Sequence, residues 1–205
     1  MSRVLVLGTH NRKKLGELVE LLKPHGFELK TLADFPASVE VEETGDTFAA
    51  NARLKATVQA RAIGQWVLGE DSGLGVDALG GAPGVFSARF SGPGATDERN
   101  NDLLLEKLAA VPPEKRTAHY VCYAALSDPT GQVRAESEGQ CRGRILAARA
   151  GSGGFGYDPL FEVIEWHRTF GELAPAVKRA LSHRSRAMRQ LVPMLVALGQ
   201  GGDWT

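Results

Sequence analysis

The sequence predicts an α/β fold built on a mixed β-sheet. Strand-like and helix-like apolar patterns alternate from the first residues onward, the signature of strands linked by helical crossovers. A turn signal, Asp128-Pro129-Thr130-Gly131, then separates two long strand-like runs that can only pair antiparallel. Crossovers give parallel neighbours and the hairpin an antiparallel pair, so the sheet must contain both. No internal repeat interrupts this order.

The elements follow from local chemistry. Arg3-Val4-Leu5-Val6-Leu7 reads as a buried strand that stops at Gly8. Leu15, Leu18, Val19 and Leu22 recur at helical spacing until Pro24 and Gly26 end the helix, and residues 27–32 suggest a second strand. Asp46 or Thr47 caps a helix carrying Phe48, Ala52, Leu54, Ala56, Val58 and Ile63, with Gly64 as its stop. Residues 66–68 form a short strand, and the glycine-rich stretch 69–94 is expected to be an ordered loop. Thr96 or Asp97 caps a helix through Leu103, Leu104 and Leu108 that ends at Pro112-Pro113. Residues 118–127 and 132–148 form the hairpin, and Phe161-Glu162-Val163 a short strand. Ser182 caps a final amphipathic helix through Met188, Leu191, Leu195 and Leu198, stopped by Gly199 and kinked at Pro193.

Composition narrows the function classes. The 205 residues are 43% apolar and 23% charged, enough for one sizeable domain or a domain with a smaller lobe. Lys plus Arg equal Asp plus Glu at 24 each, so no global positive field attracts nucleic acid. Any site for a polyanion must be a local cluster. Cys122 and Cys141 are too few for a disulfide framework or a four-cysteine zinc site, and both fall in strand-like runs as core thiols. With no leader pattern and no apolar run near the roughly 20 residues that span a bilayer, the expectation is a cytoplasmic protein without membrane partners.

Four clusters could do chemistry. Thr9-His10-Asn11-Arg12-Lys13-Lys14 lies between a strand and a helix, where unpaired backbone N–H groups suit phosphate oxygens. It is not a Walker loop, and taken alone it also fits an ordinary turn. Glu40, Glu42, Glu43 and then Glu70-Asp71-Ser72-Gly73 supply hard oxygen ligands of the kind Mg2+ takes together with substrate phosphates. The dense glycines of 151–156 would let backbone approach a ligand, with Phe155 stacking on a planar base and Asp158 bonding a sugar or base edge. Aromatics that simply fill the core fit that stretch as well. Lys178 with Ser182-His183-Arg184-Ser185-Arg186 forms an anion- or carbonyl-recognising patch, or a basic solvated face.

In this order and at these spacings, the clusters resemble the inosine triphosphate pyrophosphatase family over nearly the whole chain. The matching blocks are Thr9 to Lys14; Glu43-Thr44-Gly45-Asp46-Thr47-Phe48 with Asn51 and Lys55; and Glu70-Asp71-Ser72-Gly73-Leu74. They continue with Leu79 to Gly84, Ser87-Ala88-Arg89, Gly153 to Pro159 and Ser182-His183-Arg184. The resemblance implies a single domain of residues 1–205, an elongated mixed sheet with flanking helices forming two lobes around a central nucleotide cleft, and a homodimer. It implies hydrolysis of ITP, dITP and XTP to the monophosphate and pyrophosphate, with Mg2+ as cofactor. Thr9, His10, Asn11 and Lys14 would hold the phosphates with Lys55, and Asp71 would activate water and serve Mg2+ with Glu43, or with Glu42 instead. Ser72 would touch the substrate, and Phe155, Gly156, Tyr157, Asp158, Lys178, His183 and Arg184 would form the base pocket. Two positions depart from the family pattern: His10 stands where a small residue is common, and Ser185 where glycine is common. A Maf-type pyrophosphatase would leave the 155–158 and 182–184 blocks without a role, and a silent nucleotide binder would not need Asp71.

Overall fold

The computed structural model describes residues 3–202 and Trp204. Its strands are β1 (Val4–Leu7), β2 (Glu28–Thr31), β3 (Val67–Val76), β4 (Thr117–Ser127), β5 (Val133–Ile145), β6 (Phe161–Val163) and β7 (Arg168–Thr169). Its α-helices are α1 (Arg12–Leu22), α2 (Phe48–Ile63), α3 (Asp97–Lys107), α4 (Pro175–Leu181) and α5 (His183–Gln200). The strands form one sheet in the order β2-β1-β3-β4-β5-β6-β7. β1 runs parallel to β2 and β3, whereas β5, β6 and β7 pair antiparallel. The expected mixed α/β sheet is borne out.

The chain divides into two compact units. The first comprises the chain up to Asp71, Cys122–Gly139 and the chain from Arg184 onward. Its core gathers Leu5, Leu7, Leu18, Leu22, Leu68, Leu126, Leu191 and Leu195, all fully buried, from β1, α1, β3, β4 and α5. Trp204 extends it by stacking on Trp66 at 4.5 Å and 10°, with its Nε1 donating to the Val4 carbonyl at 3.0 Å. The second unit comprises Ser72–Val121 and Gln140–His183, around Leu74, Leu104, Tyr120, Phe161 and Phe170.

Local signals set most boundaries. The Thr47 hydroxyl accepts from the Ala50 amide to cap α2, and Gly64 ends it in the left-handed region at φ 64°. Thr96 caps α3 through the Arg99 amide. In the hairpin turn the Asp128 carboxylate accepts from the Thr130 and Gln132 amides, so the aspartate organises the reversal. No helix among the described residues is long and apolar enough to cross a membrane.

Two expectations are corrected, and one helix is added. β3 does not stop at Leu68 but continues through Gly69 and Gly73 to Val76, buried at every position except Ser72. Glycine was a loop signal in the sequence, whereas here it permits neighbouring backbone to approach a buried strand. α5 runs through Gly199 to Gln200, and the bare face of Gly199 lies against the Arg3 side chain, where a Cβ would stand 2.7 Å from its guanidinium. The segment before Ser182 is helical as well, started by Pro175 at the first turn of α4.

Candidate active site

Side chains alternate along a strand, so the consecutive carboxylates of Glu70 and Asp71 on β3 leave it on opposite faces. Both are buried, at 1% and 5% exposure. A buried carboxylate is tolerated only with compensating charge and hydrogen bonds, and here each face supplies its own.

On one face, α2 lies against β3 at Gly69. A Cβ there would stand 2.3 Å from the Ala52 carbonyl oxygen and 2.5 Å from the Ala56 nitrogen. Only glycine permits that approach, and it brings Lys55 over the strand. Lys55 Nζ donates to Asp71 Oδ1 at 2.9 Å and to the Glu70 carbonyl at 3.1 Å, and it pairs with Glu43 Oε1 at 3.1 Å. Asn51 Nδ2 donates to Asp71 Oδ2 at 3.2 Å, while its Oδ1 accepts from the Gly45 amide and ties down the loop that carries Glu43. Burial pushes the Asp71 carboxyl up, with Lys55 and Lys14 opposing, and the net direction is upward. Burial alone would lower the Lys55 ammonium, but Asp71, Glu43 and Glu70 outweigh it and its net shift is upward. Lys55 therefore stays charged. Of the two glutamates, Glu43 faces this cluster and Glu42 is exposed.

On the other face, Glu70 meets cations from α1 and α5. Lys14 Nζ is 3.2 Å from Glu70 Oε2, and Arg184 donates to Glu70 Oε1 at 2.9 Å and to Glu17. The Cys122 thiol donates to Glu70 Oε1 at 3.3 Å, and burial next to that carboxylate pushes the thiol well above its usual range. Arg184 was expected beside the base, yet it is 1% exposed and its guanidinium serves the carboxylates of the first unit. His183 closes one unit and Arg184 opens a segment of the other.

The loop before α1 is pinned internally. Thr9 Oγ1 accepts from the Asn11 amide at 3.2 Å, and Asn11 Oδ1 accepts from the Lys13 and Lys14 amides at 3.0 and 3.1 Å. Asn11 is thus the cap of α1, and its carbonyl oxygen is committed to the helix. Its NH2 group is a donor and takes no part in the cap. Gly8 is required here, since a Cβ would meet Val67 at 2.9 Å. His10 is exposed.

The remaining predicted residues gather in the second unit. Asp158 Oδ2 accepts from Lys178 Nζ at 2.6 Å and from the Phe155 amide at 2.8 Å. At Gly154, with φ 74°, a Cβ would sit 2.0 Å from that oxygen. Asp158 therefore anchors its own loop rather than offering a clear edge to a sugar. Lys178 also lies 4.6 Å from the Phe155 ring centroid, a cation–π contact. The Asn101 amide donates to the Gly156 carbonyl at 2.9 Å, and the Gly156 amide donates to Asp97 at 3.0 Å. Tyr157 is core: its hydroxyl donates to the Ser87 carbonyl at 2.8 Å, and burial, then the Asp97 charge, push its phenol up. The His183 ring stacks on Tyr120 at 4.7 Å and 8°. Ser72 follows Asp71 on β3 and is half-buried.

Sequence reasoning gave no role to Asn51 or Tyr120, and it offered Glu70 only as one of several oxygen ligands rather than as the partner of Lys14 and Arg184. Asn51 and Glu70 stood in matched blocks beside residues that drew attention. Tyr120 sits in a plain strand run and carried no local signal.

Among the described residues, no three histidine, cysteine or acidic side chains converge as a closed metal cage. A Mg2+ site completed by substrate phosphates needs only one or two carboxylates, and Glu43 and Asp71 converge on one ammonium. Ion pairs in the first unit join Lys14 and Arg184 to Glu70, Arg184 to Glu17, and Lys55 to Glu43 and Asp71. The donor chemistry of Glu43 and Asp71 fits a hard divalent cation.

Fold and site define a class: a mixed α/β protein with buried carboxylates and lysines suited to a metal–phosphate substrate. The chain belongs to the Ham1 family, whose profile matches residues 5–194. A dITP/XTP pyrophosphatase from Rhodopirellula baltica is 54% identical over 97% of this chain and 96% of its own length. Another from Desulforamulus reducens is 48% identical over 93% of this chain and 94% of its own. The solved structure of a Ham1 protein from Coxiella burnetii matches with TM-score 0.88 at 38% identity, covering 96% of this chain and all of that one. The family resemblance read from the sequence is borne out.

Replacing Gly69 tests how the lysine is placed. Gly69→Ala should lower stability by about 1–3 kcal/mol in urea unfolding, because α2 must move off β3. A stability equal to wild type would show that α2 can yield without loss.

Proposed function

We propose that this protein hydrolyses the triphosphates of deaminated purines, ITP, dITP and XTP, to the monophosphate and pyrophosphate in a Mg2+-dependent reaction. The observation that carries the reading is the buried Asp71 gripped by Lys55 and Asn51 within a family whose relatives bear the dITP/XTP pyrophosphatase name. Removal of such nucleotides from the precursor pool keeps them out of DNA and RNA, which accords with a cytoplasmic location. A homodimer is the assembly that the family resemblance suggests.

Glu43 and Asp71 would hold Mg2+, which supplies Lewis-acid polarisation of the phosphate oxygens when bound. A carboxylate has about four lone-pair sites, and Lys55 and Asn51 use two on Asp71. The others are available to the metal and to a water. Asp71 takes a proton from that water as its oxygen attacks the α-phosphorus, and the bond to the β-phosphate oxygen breaks. Lys14 and Lys55 stabilise charge on the departing pyrophosphate, while Thr9 and the NH2 end of Asn11 donate to phosphate oxygens. Glu70 and Arg184 keep Lys14 in place from within the protein.

Base choice follows donor placement. Hypoxanthine and xanthine present a carbonyl at C6 where adenine presents an amino group. Phe155 stacks on the ring, and His183 with Lys178 donates to the C6 carbonyl. A donor facing adenine's amino group would be left unpaired, at a cost of about 1–3 kcal/mol, or roughly ten- to hundredfold in selectivity.

Incubation with ITP, XTP and ATP, with and without Mg2+, tests the reading. Monophosphate plus pyrophosphate should form from ITP and XTP, ATP should react at least about tenfold more slowly, and Asp71→Asn should be inactive. Orthophosphate as the first product would exclude attack at the α-phosphorus. The upward shift of Asp71 also has a sign that can be read. A raised carboxyl takes up its proton at higher pH than a free aspartate, so Mg2+ affinity should fall on acidification while still above about pH 4. Calorimetric Mg2+ titrations that stay flat down to that pH would contradict the assignment of Asp71 as a ligand.

A further inference from the structure

We infer that Tyr120 is a positioning residue for base selection, fixing the plane of the His183 imidazole by face-to-face stacking; this rests on the proposed role of His183. Tyr120 lies on β4, 7% exposed, with its ring 4.7 Å from that of His183 and inclined by only 8°. Two core rings also pack against Tyr120. Phe161 packs against it at 4.7 Å and 55°, and Phe170 at 6.1 Å and 38°. A ring clamped this way has one orientation, and it transmits that orientation to whatever stacks on it.

The same side chain reaches the base-facing loop. Its hydroxyl lies 3.5 Å from Asp158 Oδ1, at the outer limit of a hydrogen bond, while the other oxygen of Asp158 holds Lys178 and the Phe155 amide. Burial, then the Asp158 charge, push the phenol well above its usual range, so it stays protonated beside the carboxylate. The long hydroxyl contact is a minor part of the arrangement. The stack is the major part.

An imidazole discriminates a carbonyl from an amino group only if its N–H is aimed within the plane of the base. Two helices join near His183: α4 ends at Leu181 and α5 begins at His183 itself, so its backbone is set by both. A flat partner against the ring limits its rotation about the side-chain bonds. Tyr120 thus acts on selectivity through His183 without touching the nucleotide.

Tyr120→Phe and Tyr120→Leu separate the stack from the hydroxyl, and Phe keeps the core filled should Leu destabilise it. An aromatic pair of this kind corresponds to about three- to tenfold in binding. Tyr120→Leu should raise KM for ITP by about that factor with little change in kcat, and lower the ITP-over-ATP ratio of kcat/KM. Tyr120→Phe should stay near wild type in both. Equal losses in the two variants would assign the role to the hydroxyl and overturn the inference, as would a Tyr120→Leu enzyme with unchanged KM and selectivity. Ring-proton NMR of His183 supplies a readout that needs no substrate. Nuclear Overhauser contacts should define one ring orientation in wild type and Tyr120→Phe, and an averaged one in Tyr120→Leu. A His183 ring as well ordered in Tyr120→Leu as in wild type would overturn the inference even if wild type left ITP untouched, a result that would separately refute the proposed activity.

Discussion

Two neighbouring carboxylates buried in the middle of β3 are the constraint on which the first unit of this protein depends. Neither Glu70 nor Asp71 can stay charged in that position without cations, and the pleat sends them to opposite faces. Each face must therefore bring its own. α1 and α5 bring Lys14 and Arg184 to Glu70, and α2 brings Lys55 and Asn51 to Asp71. The two networks serve different ends. Glu70 is closed off by strong partners, whereas Asp71 keeps acceptor capacity for a metal and a water.

Close packing makes the arrangement possible. Gly8 and Gly69 remove side chains where β1 and α2 meet β3, and Gly154 does the same where Asp158 turns back on its own loop. In each case the glycine is needed because another atom occupies the space of its Cβ. Gly69 immediately precedes Glu70 and Asp71 in the strand. Sterics at the glycine thus set electrostatics at the neighbour.

This explains which parts were legible in the sequence. The caps at Thr47 and Thr96, each one of two neighbouring candidates, and the stop at Gly64 were readable as local chemistry, whereas the Asn11 cap, equally local, was passed over for a phosphate role. The hairpin at Asp128 was readable for the same reason. β3 was misread beyond Leu68 because a glycine-rich run looks like a loop until the helix lying against it is known. Lys14, Lys55, Glu43 and Asp71 were visible as charged residues in recognisable blocks. That Arg184 spends its guanidinium on Glu70 depends on a partner 114 residues away in sequence. Tyr120 is the extreme case, since its interest lies entirely in the ring it meets.

The central claim is that the two carboxylates do different work, Glu70 holding the site together and Asp71 carrying reactivity at some expense to stability. Folded Asp71 binds its proton more readily than the unfolded chain does, so stability falls as pH rises between the two values and its charge is a burden at neutral pH. Unfolding free energies of Glu70→Gln and Asp71→Asn, measured side by side at neutral pH, test this most directly. Glu70→Gln should lose about 3 kcal/mol, because buried Arg184 and Lys14 lose their shared counter-charge. Asp71→Asn should remain within about 1 kcal/mol of wild type or exceed it. The reverse order, with Asp71→Asn unfolding easily and Glu70→Gln unaffected, would contradict the account.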